Sequence, residues 1–233
     1  GDGFDDLSGG GGDDTLEGGP GDDLLKGNAG ADKLLGGPGG DDLWIDSDDV
    51  AVSGGMGYDS ASLVGQNGIT IDVAAANIEN VGGSEGPDEI IGAGSNADLL
   101  LVGLRQGDRI VGGAGKDALD GGRGDDTVIG NGARDTLLGG AGMDSLSGGA
   151  GPDLLKGEGG IDTLDGGDGA DNLVGGDNDD TLSGGGGDDT LDGGAGADRL
   201  HGGAGNDRIL FTGNDTSIDA GAVGDTAVLG GDT

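Results

Sequence analysis

The sequence predicts an all-β fold, a right-handed parallel β-roll in which short coils stack into a solenoid. Three observations predict it. Residues 112–210 divide into eleven consecutive blocks of nine with no insertion. Each block has Gly at position one, Asp at position six and an aliphatic residue at position eight, as in GGRGDDTVI and GGAGMDSLS. The same register recurs in a shorter copy over residues 1–44. A period held this long marks a repeat architecture, in which each repeat is stable only against its neighbours.

Composition sets the competing reading. Gly supplies 64 of 233 residues, aromatics only 2%, and the formal net charge is −36. Such a chain ordinarily reads as an acidic disordered tail. Strict register argues against that, because disorder needs no period. The charge excludes nucleic acid as a partner, since 10 basic residues are scattered among 46 acidic ones where clustered Lys and Arg would be required. Cations are the natural partners instead. No run approaches the roughly 18 apolar residues of a membrane span, and no signal peptide is visible from Gly1 onward. The chain has no Cys, hence no disulfide or thiol chemistry.

The first array runs to Trp44 and opens on a block lacking its first residue, GDGFDDLS. Its inward aliphatics are Leu7, Leu16, Leu25, Leu34 and Leu43. Residues 45–111 are expected to be degenerate linking coils with few or no metal sites. Within them GGMGYDSAS keeps Asp59 but offers only Ala61 at position eight. Alternation at Ile69, Ile71 and Val73 predicts a half-buried strand. Asp88, Asp98 and Asp108 lie ten apart, each followed two residues later by Ile90, Leu100 or Ile110. The main array fills 112–210. Residues 211–233 keep a weak echo (Ile218, Asp225, Val228), and Gly230 to Thr233 could open another block. Both ends thus read as cut mid-repeat, as in a piece of a larger protein.

The spacing within one block has a physical logic. Gly at positions one, two and four permits a tight loop with positive φ. Asn28, Asn131 and Asn178 stand in for such a Gly, and Asn tolerates the left-handed region best. Ala133 and Glu158 should be local soft spots. Positions seven to nine should form a strand of about three residues with the central side chain inward. With two blocks per turn, loops from alternate blocks stack about 4.8 Å apart. Carboxylates at that spacing repel unless a cation lies between them. Calcium suits the gap, because it takes 6–8 oxygen ligands in flexible geometry. One inward aliphatic for every nine ordered backbones is too little to fold the metal-free chain, so folding should be coupled to metal.

The block resembles the RTX (repeats-in-toxin, hemolysin-type) nonapeptide, Gly-Gly-x-Gly-x-Asp-x-aliphatic-x, itself an example of a calcium-binding β-helix repeat. The resemblance implies that each ion sits between loops two blocks apart. It would take the position-six Asp of both, with carbonyls of positions two and four from one loop and one and three from the other. The candidate carboxylates are Asp5, Asp14, Asp23, Asp32, Asp41, Asp59, Asp117, Asp126, Asp135, Asp144, Asp153, Asp162, Asp171, Asp180, Asp189, Asp198 and Asp207. The candidate loop glycines are Gly10, Gly12, Gly19, Gly21, Gly113, Gly115, Gly122, Gly124, Gly140, Gly142, Gly149, Gly151, Gly167, Gly169, Gly185, Gly187, Gly194, Gly196, Gly203 and Gly205. Five loops in one array and eleven in the other give about twelve Ca²⁺ sites, enough to offset 24 of the 36 net charges. Family membership further implies a secreted bacterial protein exported by a type I system, found outside the cell or on its surface. The alternative is a calcium-stiffened segment of an adhesin, surface-layer or fibre protein. Neighbouring domains of a parent chain, or self-assembly, would then be its partners besides calcium.

Other constellations weigh less. Gly82-Gly-Ser-Glu-Gly86 matches a hydrolase elbow, but the only histidine, His201, lies in a distant repeat. Arg123-Gly-Asp125 falls inside a repeat loop, Asn214-Asp-Thr216 is a glycosylation sequon, and Lys116 lacks the rest of a P-loop. Trp44, Tyr58 and Phe211 are expected to cover coil ends. No zinc-binding His-Glu-x-x-His is present. The chain is expected not to be an enzyme.

Overall fold

The computed structural model describes residues 1–221 and 224–229; the expected further block at 230–233 lies outside them. The fold is a parallel β-roll with two faces. Among the described residues, thirteen strands form the first face, in chain order from Asp6–Gly11 through Leu24–Ala29 to Arg208–Phe211 and Thr226–Leu229. The alternate strands form the second face. Thr15–Glu17, Lys33–Pro38 and Ala51–Met56 make a three-stranded sheet, and Thr70–Asp72 to Ser217–Asp219 a nine-stranded one. Every pairing is parallel. In the arrays the register offset is two blocks, so that Leu119 pairs with Leu137 and Val128 with Leu146. Linking coils are longer: Ser60 pairs with Asn80 and Asn80 with Leu100, while Thr70 pairs with Glu89.

Position eight builds the core. Leu119, Leu137 and Leu155 line the first face, and Val128, Leu146 and Leu164 the second, all at most 1% exposed. Each face buries one file of aliphatics, and the two files meet in the middle. The strands are longer than the three residues expected. Thr163–Asp168 is typical, because the first three positions of the next loop stay extended and paired, Gly167 with Gly185 and Asp168 with Gly186.

The linking coils depart from the repeat in four instructive places. Ile69, Ile71 and Val73 are all buried, as their alternation predicts. The strand nevertheless stops at Asp72, whose carboxylate accepts the Ala75 N–H at 3.0 Å and caps a one-turn helix, Val73–Ala76. Asp98 does not lead an inward Leu100. Leu100 is 41% exposed, and Leu99 and Leu101 are buried instead. Trp44 and Tyr58 do not cover coil ends either. They lie 43% and 57% exposed, Trp44 facing outward under the Lys26 ammonium, 4.8 Å from the ring centroid. Only Phe211 packs partly against the core. Finally, Ala51–Met56 and Thr70–Asp72 do not pair, and a cleft of about 500 Å³ opens between them.

Candidate metal centre

Each loop ends on the position-six aspartate, and the chain reverses direction there because Gly supplies left-handed backbone. Gly142 (φ 147°) is representative: a side chain there would also collide with the Gly124 carbonyl of the loop beneath. All the candidate loop glycines adopt positive φ except Gly113, Gly115 and Gly196. The substitutes obey the same demand, Asn131 at 82°, Ala133 at 73° and Glu158 at 74°. Leu104 (81°) and Gln106 (70°) join them, in a loop the repeat pattern did not align.

These loops stack the aspartates into two ladders. From Asp23 to Asp207 the position-six carboxylates are at most 3% exposed. One oxygen is used in stacking: the Asp126 N–H donates to Asp144 Oδ1 at 2.8 Å, and Asp144 N–H to Asp162 Oδ1 at 2.9 Å. The other oxygen has no partner. Oδ2 of Asp14, Asp23, Asp32, Asp41, Asp59, Asp126, Asp135, Asp144, Asp153, Asp162, Asp171, Asp180, Asp189, Asp198 and Asp207 is buried and unbonded, whereas Asp5 Oδ2 pairs with the Gly1 ammonium at 2.8 Å. Native proteins leave few such groups, and each calls for an explanation. Two carboxylates about 4.8 Å apart repel by about 3 kcal/mol at an effective dielectric of 20.

The free oxygen faces a cradle of acceptors. A Cβ placed on Gly121 would stand 2.5 Å from Asp126 Oδ2 and 2.7 Å from the Gly139 carbonyl of the next coil. These are close to calcium–oxygen distances. Carbonyls of positions two and four also project at the following loop, Gly122 at Gly140 and Gly124 at Gly142. Among the described residues no three His, Cys, Asp or Glu side chains converge. The donors are therefore carboxylate and main-chain oxygens. That hard, all-oxygen set suits calcium, whereas structural zinc sites are built from cysteine and histidine.

Electrostatics of the protein alone agree. Burial pushes the carboxyls of Asp108, Asp135, Asp144 and Asp180 up to about 7. It pushes Asp153 and Asp189 up to about 6, against the N–H each accepts. The neighbouring ladder carboxylates raise most of them further. Without a cation, these six sites are hostile to their own charge.

Two ladder positions differ. Asp117 Oδ2 accepts the Gly113 N–H at 2.6 Å, and Asp88 Oδ2 the Ser84 N–H at 2.6 Å. There an N–H holds the oxygen that other loops leave free. Among the described residues, five coils have lost the aspartate. Position six is Val50, Ile69 and Thr216 on the second face and Glu79 and Leu99 on the first. Asp59 N–H donates to Glu79 Oε2, and Leu99 N–H to Asp117 Oδ1. Two aspartates outside the predicted set share the ladder geometry, Asp108 and Asp225, each with an orphaned Oδ2. Asp108 was recognisable from Gly103 five residues earlier and Asp126 eighteen residues later.

The remaining motifs are structural. The Ser84 hydroxyl donates to Asp88 Oδ1 at 3.0 Å and accepts the Gly86 N–H at 3.1 Å. His201 lies on the outer face beside Asp219. Asp125 of the Arg-Gly-Asp triplet accepts the Met143 N–H. Among the described residues no helix is long and apolar enough to cross a membrane.

Comparison with known proteins finds one family. The model described as the RTX calcium-binding nonapeptide repeat (4 copies) matches residues 1–34, 8–43, 102–137, 138–173 and 174–209. A search of curated proteins finds no match. The matched segments span well over half of the chain and lie over the two repeat arrays, so the chain belongs to the RTX calcium-binding nonapeptide repeat family.

Proposed function

We propose that the chain is a calcium-triggered folding module of a secreted bacterial protein. At low cytosolic calcium its arrays are unfolded and fit for type I export. Outside the cell, millimolar calcium folds them. One observation carries the reading: a row of buried, unpartnered Oδ2 atoms in successive coils. In this reading the ligands are the position-six aspartates of each ladder and the loop carbonyls facing them, about twelve sites in all. Bound calcium supplies positive charge and empty coordination positions between carboxylates that otherwise repel. The aspartates supply the rest: Oδ1 fixes the next coil through its N–H bond, and Oδ2 turns inward to the cradle. In this reading the role is non-enzymatic, and Ser84 serves its loop, its hydroxyl donating to Asp88.

The thirteen-stranded first face favours a second use. It runs unbroken through the linking coils, giving a strut about 58 Å long at a strand spacing of about 4.8 Å. Such a strut would stiffen an adhesin or surface-layer protein. Far-ultraviolet circular dichroism in EGTA and in 10 mM calcium tests the first reading. The arrays should lose most strand signal in EGTA and regain it with calcium. Unchanged strand content after chelation refutes it. Calcium-dependent assembly of the isolated chain into filaments would favour the strut.

A further inference from the structure

We infer that the linking coils form a calcium-independent folding nucleus, so that the chain in EGTA retains a structured centre between two unfolded arms. The inference rests on the proposed calcium-triggered folding of the arrays and refines it. Three successive coils on each face need no cation. On the first face these positions are Glu79, which accepts the Asp59 N–H, Leu99, and Asp117, satisfied by Gly113. On the second face they are Val50, Ile69, and Asp88, satisfied by Ser84. Ile69 and Leu99 are 5% and 3% exposed. At these two positions hydrocarbon occupies the place of a buried charge, and the repulsion that unfolds the arms is reduced; Val50 is 61% exposed, and Asp49 beside it keeps a buried, unpartnered Oδ1.

The core is also denser there. Among the described residues, thirteen apolar side chains are buried between Ala61 and Val111, a span of 51 residues. The main array buries eleven between Leu119 and Ile209, a span of 91. The capped helix Val73–Ala76 adds Val73, Ala76 and then Ile78 to the interior. Burial is the main favourable term in folding, and here buried apolar side chains are about twice as dense along the chain. The first array joins this centre by strand pairing on one face only, since Ala51–Met56 and Thr70–Asp72 do not pair; on the other face the Asn77 amide donates to the Gly55 carbonyl. Asp108 is the one site inside the span whose Oδ2 is orphaned, at the border with the main array.

Hydrogen exchange of the whole chain, read by mass spectrometry with and without calcium, tests this. In EGTA, amides of residues 69–101 should exchange at least tenfold more slowly than those of residues 119–209, and calcium should slow both. Uniformly fast exchange in EGTA, with calcium protecting the arms as expected, overturns the nucleus and leaves the folding switch intact. Arms protected equally in EGTA and calcium would instead overturn the switch. The variant Leu99→Asp separates packing from mere position. It should abolish central protection in EGTA and restore it with calcium, because it reinstates a buried carboxylate between Glu79 and Asp117. Central protection in EGTA undiminished by Leu99→Asp overturns the argument.

Discussion

A single methyl group in the cradle should remove a calcium site. Gly166 has φ outside the left-handed region, so alanine meets no backbone strain there. Its Cβ would stand 2.5 Å from Asp171 Oδ2 and 2.5 Å from the Gly184 carbonyl, the space assigned to the ion. Both neighbours are short or main-chain atoms and cannot swing aside. Extracellular calcium modules bind at about 10⁻⁴–10⁻³ M. At 10 mM calcium one site then contributes about 1.4–2.7 kcal/mol of linked stability. Gly166→Ala should lose at least that in urea unfolding at 10 mM calcium, and titration calorimetry should count one or two fewer ions. Gly186→Ala is the control in the same array. Its Cβ meets only Asp168 Oδ1, at 3.6 Å, so it should be neutral or stabilising by up to about 1 kcal/mol. Equal ion counts in Gly166→Ala and the unmodified chain would refute the cradle geometry.

Other perturbations follow from the same ladders. Asp162→Asn keeps an acceptor for the Asp144 N–H but removes a charge. It should weaken calcium cooperativity in a dichroism titration while making the metal-free state more structured. Acid should partly replace calcium. Burial raises the ladder carboxyls to about 6–7 in the folded roll, at Asp135, Asp144, Asp153, Asp180 and Asp189, against about 3.9 in an unfolded chain. The folded state therefore binds more protons between about pH 4 and 7, and its metal-free stability rises as pH falls through that window. Dichroism in EGTA should show strand content growing from pH 7 to 4, and calcium affinity should fall over the same range. Glu158→Gly relieves a left-handed non-glycine residue and should stabilise the calcium form by up to about 1 kcal/mol in urea melts.

Much of this was legible in the residues. Glycine at position one, aspartate at six and leucine at eight fixed the coil, the inward file and the two-block turn, because each position has one physical task. The linking coils were harder for an equally physical reason. Their turns carry one or two extra residues, so spacing alone cannot say where the insertion falls. Asp98 looked like a ladder aspartate ten residues from Asp88 and Asp108, yet hydrogen bonding gives that role to Leu99. Asp98 instead accepts the Lys116 N–H on the outside. The capping of Val73–Ala76 by Asp72 competed with strand continuation and won. Ser84 in a glycine position marked a poor metal site, but the Gly113 N–H bond to Asp117 had no sequence signal, since Gly113-Ala-Gly115 reads like any other repeat. The exposed Trp44 shows that a rare aromatic need not be a core residue when every strand has an outer face.

The most direct measurement is an anomalous difference map from crystals grown in calcium. The ladders predict peaks within coordination distance of Oδ2 on Asp126, Asp144, Asp162 and Asp180, and none beside Ile69 or Leu99. Ions bound instead at the exposed loop carboxylates, such as Asp125 and Asp179, with the buried oxygens still unpartnered, would contradict the account.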